Sequence, residues 1–212
     1  MGNSRALYAA TLDLSGATVV VVGAGPVALR KLEGLPRVVK RVRIVAPSVS
    51  APVAAWAARR GEAELLRRGF EAGDLRQCRL LFCCADDAEV NAFAARQARA
   101  LGAWVCQASD PEQGDLRVPA VVEAGGLQMT LSTRGASPAL AKALRAHFEQ
   151  LLAASDLKWL LGRLEALRPR LKADPAFKAR LLERLHRKGL AARALARRSK
   201  AGRQRLQSLL KP

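Results

Sequence analysis

Aromatic residues make up only 4% of this chain, and its 212 residues include just two histidines and four cysteines. Neither His147 nor His186 has a partner at metal-ligand spacing, so both are expected on the surface and no metal centre is expected. The cysteines, Cys78, Cys83, Cys84 and Cys106, contain no C-x-x-C pair, and two of them adjoin inside an apolar run. That pattern predicts buried free thiols rather than a zinc site or a disulfide framework. No apolar run approaches the ~20 residues that span a bilayer, and residues 1–14 lack the basic start and apolar core of a signal peptide. No membrane association is expected, and the expected location is the cytoplasm. G-x-S-x-G, Walker A and H-E-x-x-H patterns are also missing.

Acidic residues are scarce in one place. The last 62 residues hold 17 of the 36 lysines and arginines but only 4 of the 18 acids, so most of the net charge of +18 lies there. Such a segment attracts polyanions: nucleic acid, an anionic membrane surface or a small polycarboxylate. A well-solvated basic surface has the same composition.

What the chain does have is a run of four valines, Val19, Val20, Val21 and Val22, leading into Gly23-Ala24-Gly25-Pro26-Val27-Ala28. A β-branched run predicts a buried strand, and residues 29–35 continue with helical character. A strand that turns on glycines into a helix leaves backbone N–H groups at the helix N-terminus, where a pyrophosphate binds. Gly23 permits the tight turn, Gly25 has no Cβ to block phosphates, and Ala28 lets the helix pack closely. An ordinary βα turn is the plainer alternative.

The first ~113 residues alternate strand and helix. Strands are predicted at 18–22, 41–46, 63–67, 79–85 and 103–107, and helices at 25–35, 50–60 and 86–101, with Ser50 as an N-cap and Gly102 as a stop. This is an α/β pattern, a Rossmann-type doubly wound parallel sheet. Residues 118–123 and 127–132 then flank Ala124-Gly125-Gly126 as a hairpin. Ser137 and Pro138 start a helix running to about 154. From 156 onward the chain is expected to be helical, broken at Pro169, Pro175 and Gly189, with a basic tail from Arg193 that frays. The expected division is residues 1–113 for a dinucleotide-binding domain, 114–150 for a hairpin plus helix, and 151–212 for a basic helical region.

In such a sheet the ligand lies at the carboxyl ends of the strands. The second strand ends on Ala46, Pro47 and Ser48, without the acid that ordinarily binds the ribose hydroxyls and without an arginine for a 2′-phosphate. NAD against NADP therefore stays open on these residues. Ala85, Asp86 and Asp87 follow the fourth strand, and paired acids at a helix start complement its dipole. Asp110 follows the fifth strand and precedes Pro111. It is either a turn former or a carboxylate placed to accept a proton as hydride leaves a substrate.

Several ordered segments resemble the precorrin-2 dehydrogenase family, the N-terminal dehydrogenase and ferrochelatase module of siroheme synthases. They are Leu12-Asp13-Leu14-Ser15-Gly16, the glycine turn through Lys31, Val45-Ala46-Pro47, Cys84 to Asn91, Ser109-Asp110-Pro111, Val118 to Val122, and Ser132 to Ala141. The resemblance runs over residues 12–152, and the loop ending Ser137-Pro138-Ala139-Leu140-Ala141 is its most specific part. Departures stand at Ala24, Ala85, Gln107, Leu116-Arg117 and residues 35–40. Gln107 occupies a position where the family commonly has asparagine.

The resemblance implies a homodimer with an NAD-binding Rossmann domain, a dimerisation domain and a helical C-terminal region. It implies oxidation of precorrin-2 to sirohydrochlorin with NAD⁺, and in some members Fe²⁺ insertion. The family's key aspartate falls on Asp110. The family's dinucleotide contacts fall on Pro26, Val27, Pro47 and Ser48, which join Gly23, Gly25 and Ala28 of the glycine turn and Ala85 and Asp86 after the fourth strand in the expected cofactor site. Ser132, Thr133 and Ser137, with Arg117 and Arg134, are the expected tetrapyrrole contacts, since arginine holds carboxylates bidentately and stays ionised. The missing ribose acid is also a family feature. Two alternatives have other functions: an NAD(H)-sensing regulator whose basic tail binds DNA, and a tetrapyrrole carrier without catalysis. No helix-turn-helix pattern supports the first, and nucleic acid is not an expected partner.

Overall fold

The computed structural model describes residues 7–39 and 41–187, together with 194, 204 and 207. The chain divides into two compact units, Met1–Val118 and Pro119–Pro212.

The first unit is built on five parallel strands: β1 (Thr18–Val22), β2 (Arg41–Val45), β3 (Ala63–Leu66), β4 (Cys78–Cys83) and β5 (Trp104–Gln107). Their order is β3-β2-β1-β4-β5. Helices α1 (Pro26–Glu33), α2 (Ala51–Arg60) and α3 (Ala88–Ala100) join them. Every residue of β1 is buried, because a central parallel strand is covered on both faces. Alternation along β1 divides the core. Val19 and Val21 pack with Ala28, Leu32, Val53 and Trp56 from α1 and α2. Val20 and Val22 pack with Ala94, Ala95 and Ala98 of α3 on the other face. The strand order reverses between β1 and β4, and a doubly wound sheet opens its ligand crevice at that point.

The free edge of β5 is covered by the chain itself. Asp115 and Leu116 both donate backbone N–H to the Val105 carbonyl, at 2.8 and 3.1 Å. The Asp115 carboxylate accepts from the Val105 N–H and pairs with Arg99. A Cβ on Gly114 would lie 3.0 Å from the Gln107 nitrogen, so a side chain there would push this return segment off the strand.

The second unit contains an antiparallel hairpin, β6 (Ala120–Ala124) and β7 (Leu127–Leu131), turned by Gly125 and Gly126, both at positive φ. Helices α4 (Pro138–Ala154), α5 (Leu157–Ala173) and α6 (Pro175–Arg187) follow. The predicted break at Pro169 does not occur, because α5 continues through it to Ala173. Pro169 removes a single backbone donor close to the helix end, and the helix tolerates that loss. The break at Pro175 is present: Asp174 ends α5, and its carboxylate accepts the Phe177 N–H at 2.8 Å to start α6. Gly189 and Arg193 lie outside the described residues. Among the described residues no helix is long and apolar enough to cross a membrane.

Candidate active site

The two glycines of the β1–α1 turn have different tasks. Gly23 sits at φ +104°, and a Cβ there would lie 2.4 Å from the Cys84 carbonyl oxygen. Its absent side chain is needed by the protein, because the backbone leaving β4 passes directly beside it. Gly25 is the N-cap of α1 at φ −90°, and a Cβ there would meet nothing within 4 Å. No side chain caps α1, no acid lies in its first turn, and Pro26 takes a position that has no N–H to offer. The N–H groups of Val27 and Ala28 belong to the helical turn that lacks intrahelical acceptors. Open space before an acid-free helix start fits a pyrophosphate. Ala28 is wholly buried against β1 and brings the helix close to the strand.

Pro47 and Ser48 are exposed just beyond β2. The predicted capping by Ser50 is corrected. Ser50 occupies the N-cap of α2, but its side chain makes no cap. Its hydroxyl donates instead to the Ala24 carbonyl at 2.7 Å, and its N–H donates to the same oxygen. Ser50 thus ties the β2–α2 loop to the glycine turn, a long-range bond with no local signature.

Beyond β4, Ala85 is held by Asn91. Its N–H donates to Asn91 Oδ1 at 3.1 Å, and its carbonyl accepts from Asn91 Nδ2 at 2.8 Å. Asn91 is buried, and its two bonds fix the loop at the mouth of the crevice. Its role was not singled out from the sequence. The signal was there: Asn91 is the polar member of the otherwise alanine stripe Ala94, Ala95 and Ala98 at helical spacing. Asp87 is the N-cap of α3, accepting from the Glu89 and Val90 N–H groups, and Asp86 is exposed beside it.

All four cysteines are free and buried. Burial pushes the Cys83 and Cys84 thiols up to about 12, the Cys78 thiol to about 11, and the Cys106 thiol also upward. Such thiols stay protonated near neutral pH and are poor nucleophiles. The native protein should therefore resist iodoacetamide at pH 8 and take up the label on unfolding, as read by mass spectrometry. Rapid native labelling of Cys84 would contradict this. Among the described residues no three His, Cys, Asp or Glu side chains group closely enough to hold a metal ion.

Asp110 caps a short 3-10 turn, Pro111–Gln113, at the end of β5. One carboxylate oxygen accepts the Glu112 N–H at 3.0 Å and the other accepts Gln113 Nε2 at 2.8 Å. The carboxylate is thereby fixed in orientation, while each oxygen keeps a lone pair. Arg117, in the same unit, forms an ion pair with Glu112. Gly25, Pro26, Val27, Pro47, Ser48, Ala85, Asp86 and Asp110 all lie at the carboxyl edge of the sheet.

The remaining predicted contacts belong to the second unit. Thr133 Oγ1 donates to the Ser137 carbonyl and accepts the Ser137 N–H. Ser137 Oγ accepts the Leu140 N–H, and Ser132 Oγ accepts the Arg134 N–H. Arg134 is exposed and sits at φ +54°, followed by Gly135 at +94°. The hydroxyls of this loop therefore shape the loop itself.

A family model described as putative NAD(P)-binding matches residues 10–120. The chain is 35% identical over 161 residues to a siroheme synthase of Stutzerimonas stutzeri, covering 76% of this chain and 34% of that protein. It thus spans about a third of the length of the siroheme synthases it matches. A precorrin-2 dehydrogenase of Priestia megaterium is 32% identical over 139 residues, covering 66% of this chain and 68% of that protein. Among solved structures, SirC, a precorrin-2 dehydrogenase, superposes with a TM-score of 0.65 at 25% identity, covering 97% of this chain and 90% of that one.

Proposed function

Since the chain belongs to the NAD(P)-binding family of precorrin-2 dehydrogenases and siroheme synthases, we propose that it oxidises precorrin-2 to sirohydrochlorin, passing hydride to NAD⁺ and releasing a proton. The observation that carries this reading is the shared edge. The uncapped, acid-free start of α1 and the oriented carboxylate of Asp110 both stand at the carboxyl ends of the parallel strands.

When bound, NAD⁺ supplies a two-electron acceptor. The residues that would hold it are Gly23, Gly25, Pro26, Val27 and Ala28 at the pyrophosphate, Pro47 and Ser48 beyond β2, and Ala85 and Asp86 beyond β4. Asn91 keeps the Ala85 backbone in place. Asp110 takes up the proton at a carboxylate oxygen, and its bonds to Glu112 and Gln113 fix the direction in which that oxygen points. Arg117, Arg134 and the loop built by Ser132, Thr133 and Ser137 hold the substrate carboxylates. The net charge of +18 favours encounter with a polyanion, so substrate capture should weaken with added salt.

The domain reading is a dinucleotide-binding domain at 1–113, a dimerisation domain at 114–150 and a basic helical region at 151–212, acting in the cytoplasm. Helix α4 supports a homodimer. One of its faces packs on β6, while Leu140, Leu144 and Leu151 stay 51, 37 and 40% exposed along it. Leu144→Asp is expected to convert the dimer to monomer in sedimentation while NAD⁺ binding by the first unit persists. An unchanged dimer would remove α4 from the interface.

The direct test is anaerobic mixing of protein, precorrin-2 and NAD⁺, followed by absorbance. The expected result is NAD⁺-dependent appearance of sirohydrochlorin with equimolar NADH. Addition of Fe²⁺ then reads metal insertion separately. A folded dimer that produces no NADH overturns the reading.

A further inference from the structure

Gln107 ends β5, opposite Cys83 in the register of the sheet, three residues before Asp110. It is 6% exposed. Its side-chain oxygen is buried and has no hydrogen-bond donor. A buried amide oxygen left unpaired is costly, and native structures pair the great majority of such groups.

The surroundings explain the lack. Alternation along β5 puts Gln107 on the same face as Ala103 and Val105, against α3. Donors on the neighbouring segments make other bonds. Asn91 Nδ2 serves the Ala85 carbonyl, and the Cys83 thiol points to the Asn91 carbonyl. On the other side, Gln113 Nε2 serves Asp110. The Ala108 N–H, next along the chain, goes to the Cys83 carbonyl. The unpaired acceptor thus belongs to the last residue of β5, at the carboxyl edge of the sheet from which Ala85 and Asp110 also follow.

Resting on the dehydrogenase reading, we propose that Gln107 is a specificity-determining residue of the site, whose side-chain oxygen accepts an N–H from the bound ligand. Two ligand groups carry that chemistry here: the carboxamide of the nicotinamide ring and a pyrrole N–H of the tetrapyrrole. Either would pair the oxygen only in the complex, so Gln107 lowers the stability of the free protein and raises affinity for the correct ligand.

Gln107→Met keeps the length and removes the acceptor, and Gln107→Leu repeats the test with a different shape. Thermal unfolding is measured without ligand, and titration calorimetry with NAD⁺, ADP-ribose and sirohydrochlorin. Both variants should melt at or above the wild-type temperature. If the carboxamide is the donor, NAD⁺ affinity falls about tenfold while ADP-ribose, which lacks the nicotinamide, binds as before. If the pyrrole is the donor, sirohydrochlorin weakens about tenfold and NAD⁺ does not. Unchanged affinity for all three ligands overturns the proposal. So does a lowered melting temperature with NAD⁺ and ADP-ribose weakened equally, which marks a structural role. Wild-type protein that binds neither NAD⁺ nor sirohydrochlorin removes the dehydrogenase reading itself, independently of the variants.

Discussion

Gly25→Val is expected to raise the Kd for NAD⁺ by roughly a hundredfold or more, about 2.7 kcal/mol, while leaving the melting temperature near that of the wild type. The backbone at Gly25 is extended, a conformation that a β-branched residue adopts without strain, and the space beside it is open. The added side chain would fill the position where a pyrophosphate approaches the start of α1. Gly23→Ala is the contrasting change. Its methyl group would meet the Cys84 carbonyl at 2.4 Å, at a φ that disfavours any side chain. The three atoms it would meet, in Cys84 and Ala85, are all backbone, so the β1 and β4 loops would have to part. That variant should lose stability by about 3 kcal/mol or more, through strain together with misplaced packing. Calorimetric titration with NAD⁺ and thermal unfolding of both variants separate the two effects. If Gly25→Val unfolds as readily as Gly23→Ala, the distinction between the ligand-facing and protein-facing glycines is wrong.

Asp110→Asn should lower kcat by about 10²–10⁴-fold and leave NAD⁺ affinity within a factor of about two. Asparagine keeps the shape of the side chain and an oxygen that accepts the Glu112 N–H, so the 3-10 turn survives. What it loses is the basic oxygen that takes the proton. Its amide nitrogen would face Gln113 Nε2, a repulsion that a flip of the Gln113 carboxamide relieves. Asp110→Ala removes the cap as well and serves as the harsher control. Turnover is read as NADH formation from precorrin-2. An asparagine variant whose kcat stays within threefold of wild type removes Asp110 from the proton transfer and leaves it as the cap of its turn.

Both predictions concern residues visible in the sequence, but their roles were not equally visible. The motif G-x-G-x-x-A assigned both glycines to one turn, as local chemistry requires. Which of them the protein needs for its own packing depends on where β4 ends, and that is a fact about strand order. Ser50 illustrates the same limit. Its place before Pro52 predicts a helix cap, yet a carbonyl 26 residues earlier in the chain takes its hydroxyl. Pro169 shows local preference losing to context, since α5 continues past it. Asn91 and Gln107 are alike in composition and opposite in condition. One carboxamide binds Ala85 through both its oxygen and its nitrogen, and the buried oxygen of the other has no hydrogen-bond partner.

By itself the sequence determined the class of the first unit, the glycine turn, the hairpin, the capped start of α4 and the free, buried cysteines. These follow from short-range physics: β-branched runs, helical periodicity, glycine at positive φ, a serine before a proline. Tertiary structure alone decided which backbone lies against Gly23, what holds Ala85, how the free edge of β5 is closed and where a carboxamide is buried without a partner. Those depend on segments distant in the chain meeting across a sheet. Hydrogen bonding there is settled by which strands become neighbours, information that no local pattern carries.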